Sequence, residues 1–121
     1  MRFILLSTDL MLIAAAQGAA DRRGVALTIH ASVASATDQG DATAALAMID
    51  LRTPGLNITD AVRGIRLAYD RARIVACGPH VHKQSLQAAV DAGCDEVITR
   101  GEFERRVDGL LAEVTASASR E

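Results

Sequence analysis

The sequence predicts an α/β fold, a single doubly wound sheet of five parallel strands in the order 2-1-3-4-5. Three observations carry this. Short apolar segments alternate with helical patterns, without a break or an internal repeat, and such βαβ units build parallel sheets with helices on both faces. The first, third and fourth apolar segments are continuous runs, as strands buried on both faces are, whereas the second alternates and suits an edge. The chain has 121 residues, 50% of them apolar, which is one domain's worth and enough to bury roughly two-thirds of the unfolded chain's surface.

The elements follow in order. Residues 3–6 (FILL) form the first strand. An Ala-rich helix over Leu10–Arg23 ends at Gly24, a residue suited to the left-handed conformation that stops helices. Val25, Leu27 and Ile29 alternate with Ala26, Thr28 and His30, the period-two pattern of a strand with one less-buried face. Residues 32–43 (SVASATDQGDAT) carry only a weak signal and predict a short helix. Residues 44–49 are the third strand, ended by Asp50. A helix capped by Asn57 or Thr59 runs through Asp70, with Val62, Ile65 and Leu67 among its apolar positions. Residues 73–76 are the fourth strand, and residues 84–92 are helical, with Leu86, Ala89 and Val90 spaced three and four apart before Gly93. After a fifth strand at residues 96–99, the last helix carries Phe103, Val107, Leu110, Leu111 and Val114 on one stripe. Residues 1–121 thus predict one domain, with a frayed tail at 115–121 (TASASRE).

Composition excludes several function classes. With 13 basic against 15 acidic residues the net charge is −2, no footprint for nucleic acid or for an anionic membrane. Aromatics at 2% leave no platform for stacking bases. Cys77 and Cys94 in a well-cored chain read as reduced thiols, which points to the cytoplasm. The amino-terminal stretch imitates a secretory leader, but Asp9 interrupts it, and residues 10–16 fall far short of the ~20 apolar residues of a membrane span.

In an open parallel sheet, ligands bind beyond the carboxyl ends of the strands, where the winding reverses. Delivered there are Ser7, Thr8 and Asp9 after the first strand, Asp50 after the third, Cys77, Gly78, Pro79, His80 and His82 after the fourth, and Thr99 and Arg100 after the fifth. Asp9 suits either a helix cap or a cation ligand, and Asp50 either an Asx turn ahead of Pro54 or a site carboxylate. Without a cation, Asp50 and Arg100 are expected to pair. His80 and His82 lack a third metal ligand and read as loop residues. Cys77 lacks an oriented base, so a nucleophilic role is disfavoured, and Cys94 reads as packing. The single lysine, Lys83, has no assigned role.

With these residues in place, the chain resembles the receiver domains of two-component response regulators over nearly its whole length. Asp50-Leu51-Arg52-Thr53-Pro54-Gly55 reproduces their phospho-accepting Asp at the end of the third strand with a Pro four residues on. Residues 88–103 (AAVDAGCDEVITRGEF) share the receiver rhythm into the last strand. Three other elements depart. Ser7-Thr8-Asp9 offers a single acid for an acidic pair, Cys77 stands for Ser or Thr, and Arg100-Gly101 for Lys-Pro. The resemblance therefore implies a degenerate, or pseudo-, receiver on a flavodoxin-like scaffold. The expectation is a stand-alone signalling or protein-interaction module, impaired in phosphorylation and not an enzyme, meeting a histidine kinase, an output protein or a second copy through its fourth helix, fifth strand and fifth helix. The alternatives are a receiver phosphorylated at Asp50 with Mg²⁺ on Asp9 and Asp50, and a small ligand binder or enzyme using Cys77, His80 and His82. Other occupants of such sheets fit less well, because the first turn lacks the glycine that flavin and dinucleotide phosphates require.

Overall fold

The computed structural model describes residues 2–38, 40 and 44–119. Among the described residues ten elements alternate: β1 Arg2–Leu6, α1 Leu10–Arg23, β2 Ala26–His30, α2 Val33–Thr37, β3 Ala44–Asp50, α3 Ile58–Ala68, β4 Arg73–Gly78, α4 Lys83–Asp91, β5 Glu96–Thr99 and α5 Arg100–Ser119. The strands form one sheet in the order β2-β1-β3-β4-β5, with every neighbouring pair parallel. This is the expected doubly wound fold, with β2 at one edge.

Strand alternation divides the core. Phe3, Leu5, Leu46, Met48, Val75, Cys77 and Ile98 point to one face and pack with Leu12, Ala16, Ala19 and Ala20 of α1 and with the Phe103–Val114 stripe of α5. Ile4, Leu6, Ala47, Ile49, Ile74 and Ala76 point to the other, against Val62 and Ile65 of α3 and Ala89 of α4. The interior strands bury both faces, which is why their sequences read as continuous apolar runs.

Local chemistry sets the helix ends. Asp9 caps α1, its Oδ1 accepting from the Met11 and Leu12 amides at 2.9 and 3.2 Å. Gly24 closes that helix at φ 65°, a conformation a side chain would strain. Asn57, not Thr59, caps α3 through the Asp60 amide, and α3 ends at Ala68, short of Asp70. The Tyr69 hydroxyl donates to the Ala36 carbonyl, tying the end of α3 to α2.

Three expectations need correction. Leu67 is 82% exposed and Val90 53% exposed, so neither belongs to its helix's buried stripe. β4 runs two residues beyond Ala76. α5 runs through Ser119. The short helix sought in 32–43 is α2, capped by Ser32, and residues 39 and 41–43 lie outside the described set.

Candidate functional site

The parallel register brings the chemistry-bearing residues to one rim. Leu6 sits opposite Ile49, so Ser7 and Asp50 follow side by side. Asp50 is opposite Cys77, and Gly78 is opposite Thr99, after which Arg100 begins α5. Strand parity then puts Ser7, Asp50 and Cys77 on the sheet face covered by α1 and α5, continuing the rows of Leu5, Met48 and Val75.

Asp50 is 4% exposed and well satisfied. Its Oδ2 accepts from the Ser7 hydroxyl at 2.6 Å, and its Oδ1 accepts from the Arg52 amide at 2.9 Å. Ser7 is itself buried, and its Oγ accepts from the Asp9 amide at 3.0 Å. Thr53 closes the turn below: its hydroxyl donates to the Asp50 carbonyl at 2.7 Å and to the Leu6 carbonyl at 3.3 Å. Ser7, Asp50 and Thr53 form a buried polar thread joining the ends of β1 and β3. Pro54 lies exposed in the turn beyond it.

Arg100 pairs with Asp9, not with Asp50 as the sequence suggested. The reason is local. Thr99 and Glu102 form a reciprocal capping box, the Thr99 hydroxyl accepting from the Glu102 amide at 3.2 Å and the Glu102 carboxylate from the Thr99 amide at 2.9 Å. The box starts α5 at Arg100, setting a guanidinium on the positive end of a helix, where a cation is disfavoured. Asp9, at the start of α1, is the acid that offsets it, and Ser7 satisfies Asp50 in Arg100's place. Hydrogen bonding to Arg100 holds the Asp9 carboxyl below the usual range, and Asp9 in turn raises the Arg100 guanidinium. Of the two roles open to Asp9, helix cap and cation ligand, the structure shows the cap.

The donor set is oxygen-rich, but Arg100 occupies it alongside the two carboxylates. One oxygen of Asp9 serves two helix amides and the other faces a guanidinium, while Asp50 already holds a hydroxyl and an amide. A divalent ion beside Arg100 would meet its repulsion, which offsets part of the attraction that Asp9 and Asp50 supply. Among the described residues no group of three or more His, Cys, Asp or Glu is placed to hold a metal. His80 and His82 are exposed, on the loop leading into α4.

Cys77 is 1% exposed, and burial, reinforced by the charge of Asp50, pushes its thiol up to about 12. Cys94 rises to about 11 for the same first reason, desolvation. A protonated, enclosed thiol is neither a nucleophile nor a metal ligand at neutral pH.

Sequence reasoning missed two contributors. Ser7 reads in the sequence only as a non-acid within Ser7-Thr8-Asp9, although strand parity sets it beside Asp50. Thr53 was legible as the hydroxyl three residues after Asp50, the spacing of a side-chain-closed turn.

No protein-family model matches the chain, and no curated protein matches it. Solved structures do. A CheY-like response regulator receiver domain from Methanospirillum hungatei superposes with a TM-score of 0.76 at 13% identity, covering 99% of this chain and 98% of the other. The beryllofluoride-activated NtrC4 receiver domain dimer gives 0.71 at 10% identity, covering 93% and 98%. A CheY-like protein (tadZ) from Pseudomonas aeruginosa gives 0.69 at 24% identity, covering 94% and 98%. The fold is that of a receiver domain. No helix among the described residues is long and apolar enough to cross a membrane.

Proposed function

We propose that this chain is a receiver-fold signalling module that acts by binding a protein partner, without Mg²⁺-dependent phosphorylation of Asp50. The observation that carries the reading is the pairing at the rim: Arg100 engages Asp9 while Ser7 and the Arg52 amide satisfy Asp50. Phosphoryl transfer to a carboxylate needs a cation to neutralise charge spreading over the transferred oxygens. Here Arg100 already neutralises Asp9, and the oxygens of Asp50 are engaged by the Ser7 hydroxyl and the Arg52 amide. Cys77, in the place where receivers carry a hydroxyl, is a weak donor that would report poorly on any charge arriving at Asp50. The reading needs no catalytic residue, and it places the protein in the cytoplasm with its reduced thiols.

The binding surface in this reading is the face of α4, β5 and α5. A groove of about 280 Å³ there is lined by Lys83, Leu86, Val90, Val97, Ile98 and Glu102, an apolar floor with one charge of each sign at its margin. The partner is a histidine kinase, an output protein or a second copy of the chain, and sedimentation of the purified protein separates the last from the others.

Acetyl phosphate with Mg²⁺ tests the central part. Intact-mass spectrometry is expected to find the native chain unmodified. A phosphoryl adduct that disappears in Asp50→Asn would establish the competent-receiver reading instead.

A further inference from the structure

We propose that Arg100 is the resident counter-cation of the Asp9–Asp50 rim, and that this one tethered side chain keeps divalent cations off it. The inference deepens the reading above and rests on it for the role of the rim, but not for any docking partner.

Charge accounting is the first support. Asp9 and Asp50 bring two negative charges to neighbouring strand ends, and Arg100 returns one positive charge. A divalent ion added to that set leaves an excess of positive charge, at the positive ends of both α1 and α5. The same ion added without the guanidinium leaves the rim neutral.

Donor chemistry is the second. Apart from Arg100, the rim is oxygen-rich: two carboxylates and the Ser7 hydroxyl, the hard ligands that Mg²⁺ and Mn²⁺ prefer. The residues around Asp50 are thus compatible with a hard cation in type, and Arg100 is the group that conflicts with one. Placement is the third. The capping box at Thr99 and Glu102 fixes the start of α5, so Arg100 is delivered to Asp9 by the fold and not by a floppy chain end. The Glu104 carboxylate, 4.0 Å away one turn on, holds the guanidinium from its other side.

Mn²⁺ alone is the probe, read as paramagnetic broadening of backbone amides in the native chain, in Arg100→Gln and in the double variant Asp9→Asn/Arg100→Gln. Arg100→Gln is expected to broaden the Met11, Leu51 and Arg52 amides at roughly tenfold lower Mn²⁺ than the native chain requires. The double variant should lose that gain. Equal broadening in native and Arg100→Gln proteins, or none in a folded Arg100→Gln, overturns the proposal. Should Arg100→Gln not fold, Arg100→Met, which keeps the apolar stem, replaces it under the same criteria. Rim broadening of the native chain at the concentration that broadens the variant is sufficient on its own to overturn it. No phosphoryl donor is present, so the outcome is separable from the function above: a native chain that accepts a phosphoryl group sinks that function, whereas Mn²⁺ insensitive to Arg100 sinks this inference.

Discussion

The Ser7 hydroxyl donates to the Asp50 carboxylate across 2.6 Å, joining the ends of two adjacent parallel strands below the protein surface. A carboxylate buried at a strand end needs donors, and two neutral groups, this hydroxyl and the Arg52 amide, supply them. The arrangement lies at the position where the receiver resemblance expects a phosphoryl acceptor.

Removing the hydroxyl exposes how much the thread contributes. Ser7→Ala leaves Asp50 buried with a donor missing, and hydrogen bonds to charged groups are worth about 1.5–3 kcal/mol. Thermal unfolding followed by circular dichroism is expected to show a Tm lower by roughly 5–10 °C. An unchanged Tm would mean that water replaces Ser7 and that the thread is not what holds the two strand ends.

Acid should erode the Asp9–Arg100 pair. The Asp9 pKa is depressed in the folded chain, so its contribution is complete above the unfolded value of 3.8 and is lost as pH falls toward the folded one. Arg100→Ala is expected to cost about 0.5–1 kcal/mol at neutral pH, a modest figure because both side chains are partly solvated. Denaturant titrations of native and variant chains should diverge at pH 7 and converge well below pH 4. A difference that persists undiminished in acid would assign the cost to lost packing of the arginine stem.

Thiol chemistry gives a separate check. With Cys77 pushed up to about 12 and Cys94 to about 11, neither should react quickly with an aromatic disulfide reagent at pH 7.5 in the folded protein. Both should react promptly in urea. Rapid labelling of native Cys77 would revive the nucleophile reading that joined it to His80 and His82.

The start of α5 can be loosened on its own. Thr99→Ala removes the hydroxyl that caps the Glu102 amide and is expected to cost about 1 kcal/mol, as other N-cap losses do. Amide exchange in the first turn of α5 should quicken, while exchange at Val107 and Leu110 should not. Uniform acceleration along the helix would indicate that the cap is coupled to global unfolding.

The sheet was legible because its interior strands leave no polar side chain to hide: FILL at residues 3–6 and the run from Ala44 announce burial on both faces. Helix faces were harder to read. Leu67 lies two residues beyond the buried Ile65, about 200° round the helix, so hydrophobicity alone put it on the wrong side. Val90 misled in the same way beside Ala89, 100° away. At the site, parallel strands gathered Ser7, Asp50 and Cys77 as their order implied. Which partner each polar group takes was not implied. That depends on where α1 and α5 begin, and the T-x-x-E signature at Thr99–Glu102 was the unused signal that fixes Arg100.

Beryllofluoride, a mimic of the phosphoryl group, addresses the central claim most directly. Amide spectra of the native chain recorded with Mg²⁺, before and after adding beryllofluoride, should superimpose at Leu51, Arg52, Cys77 and Arg100. Concerted shifts at those amides, absent from Asp50→Asn, would show that the rim accepts a cation and a phosphoryl mimic together, and the account of an Asp50 that takes no phosphoryl group would be wrong.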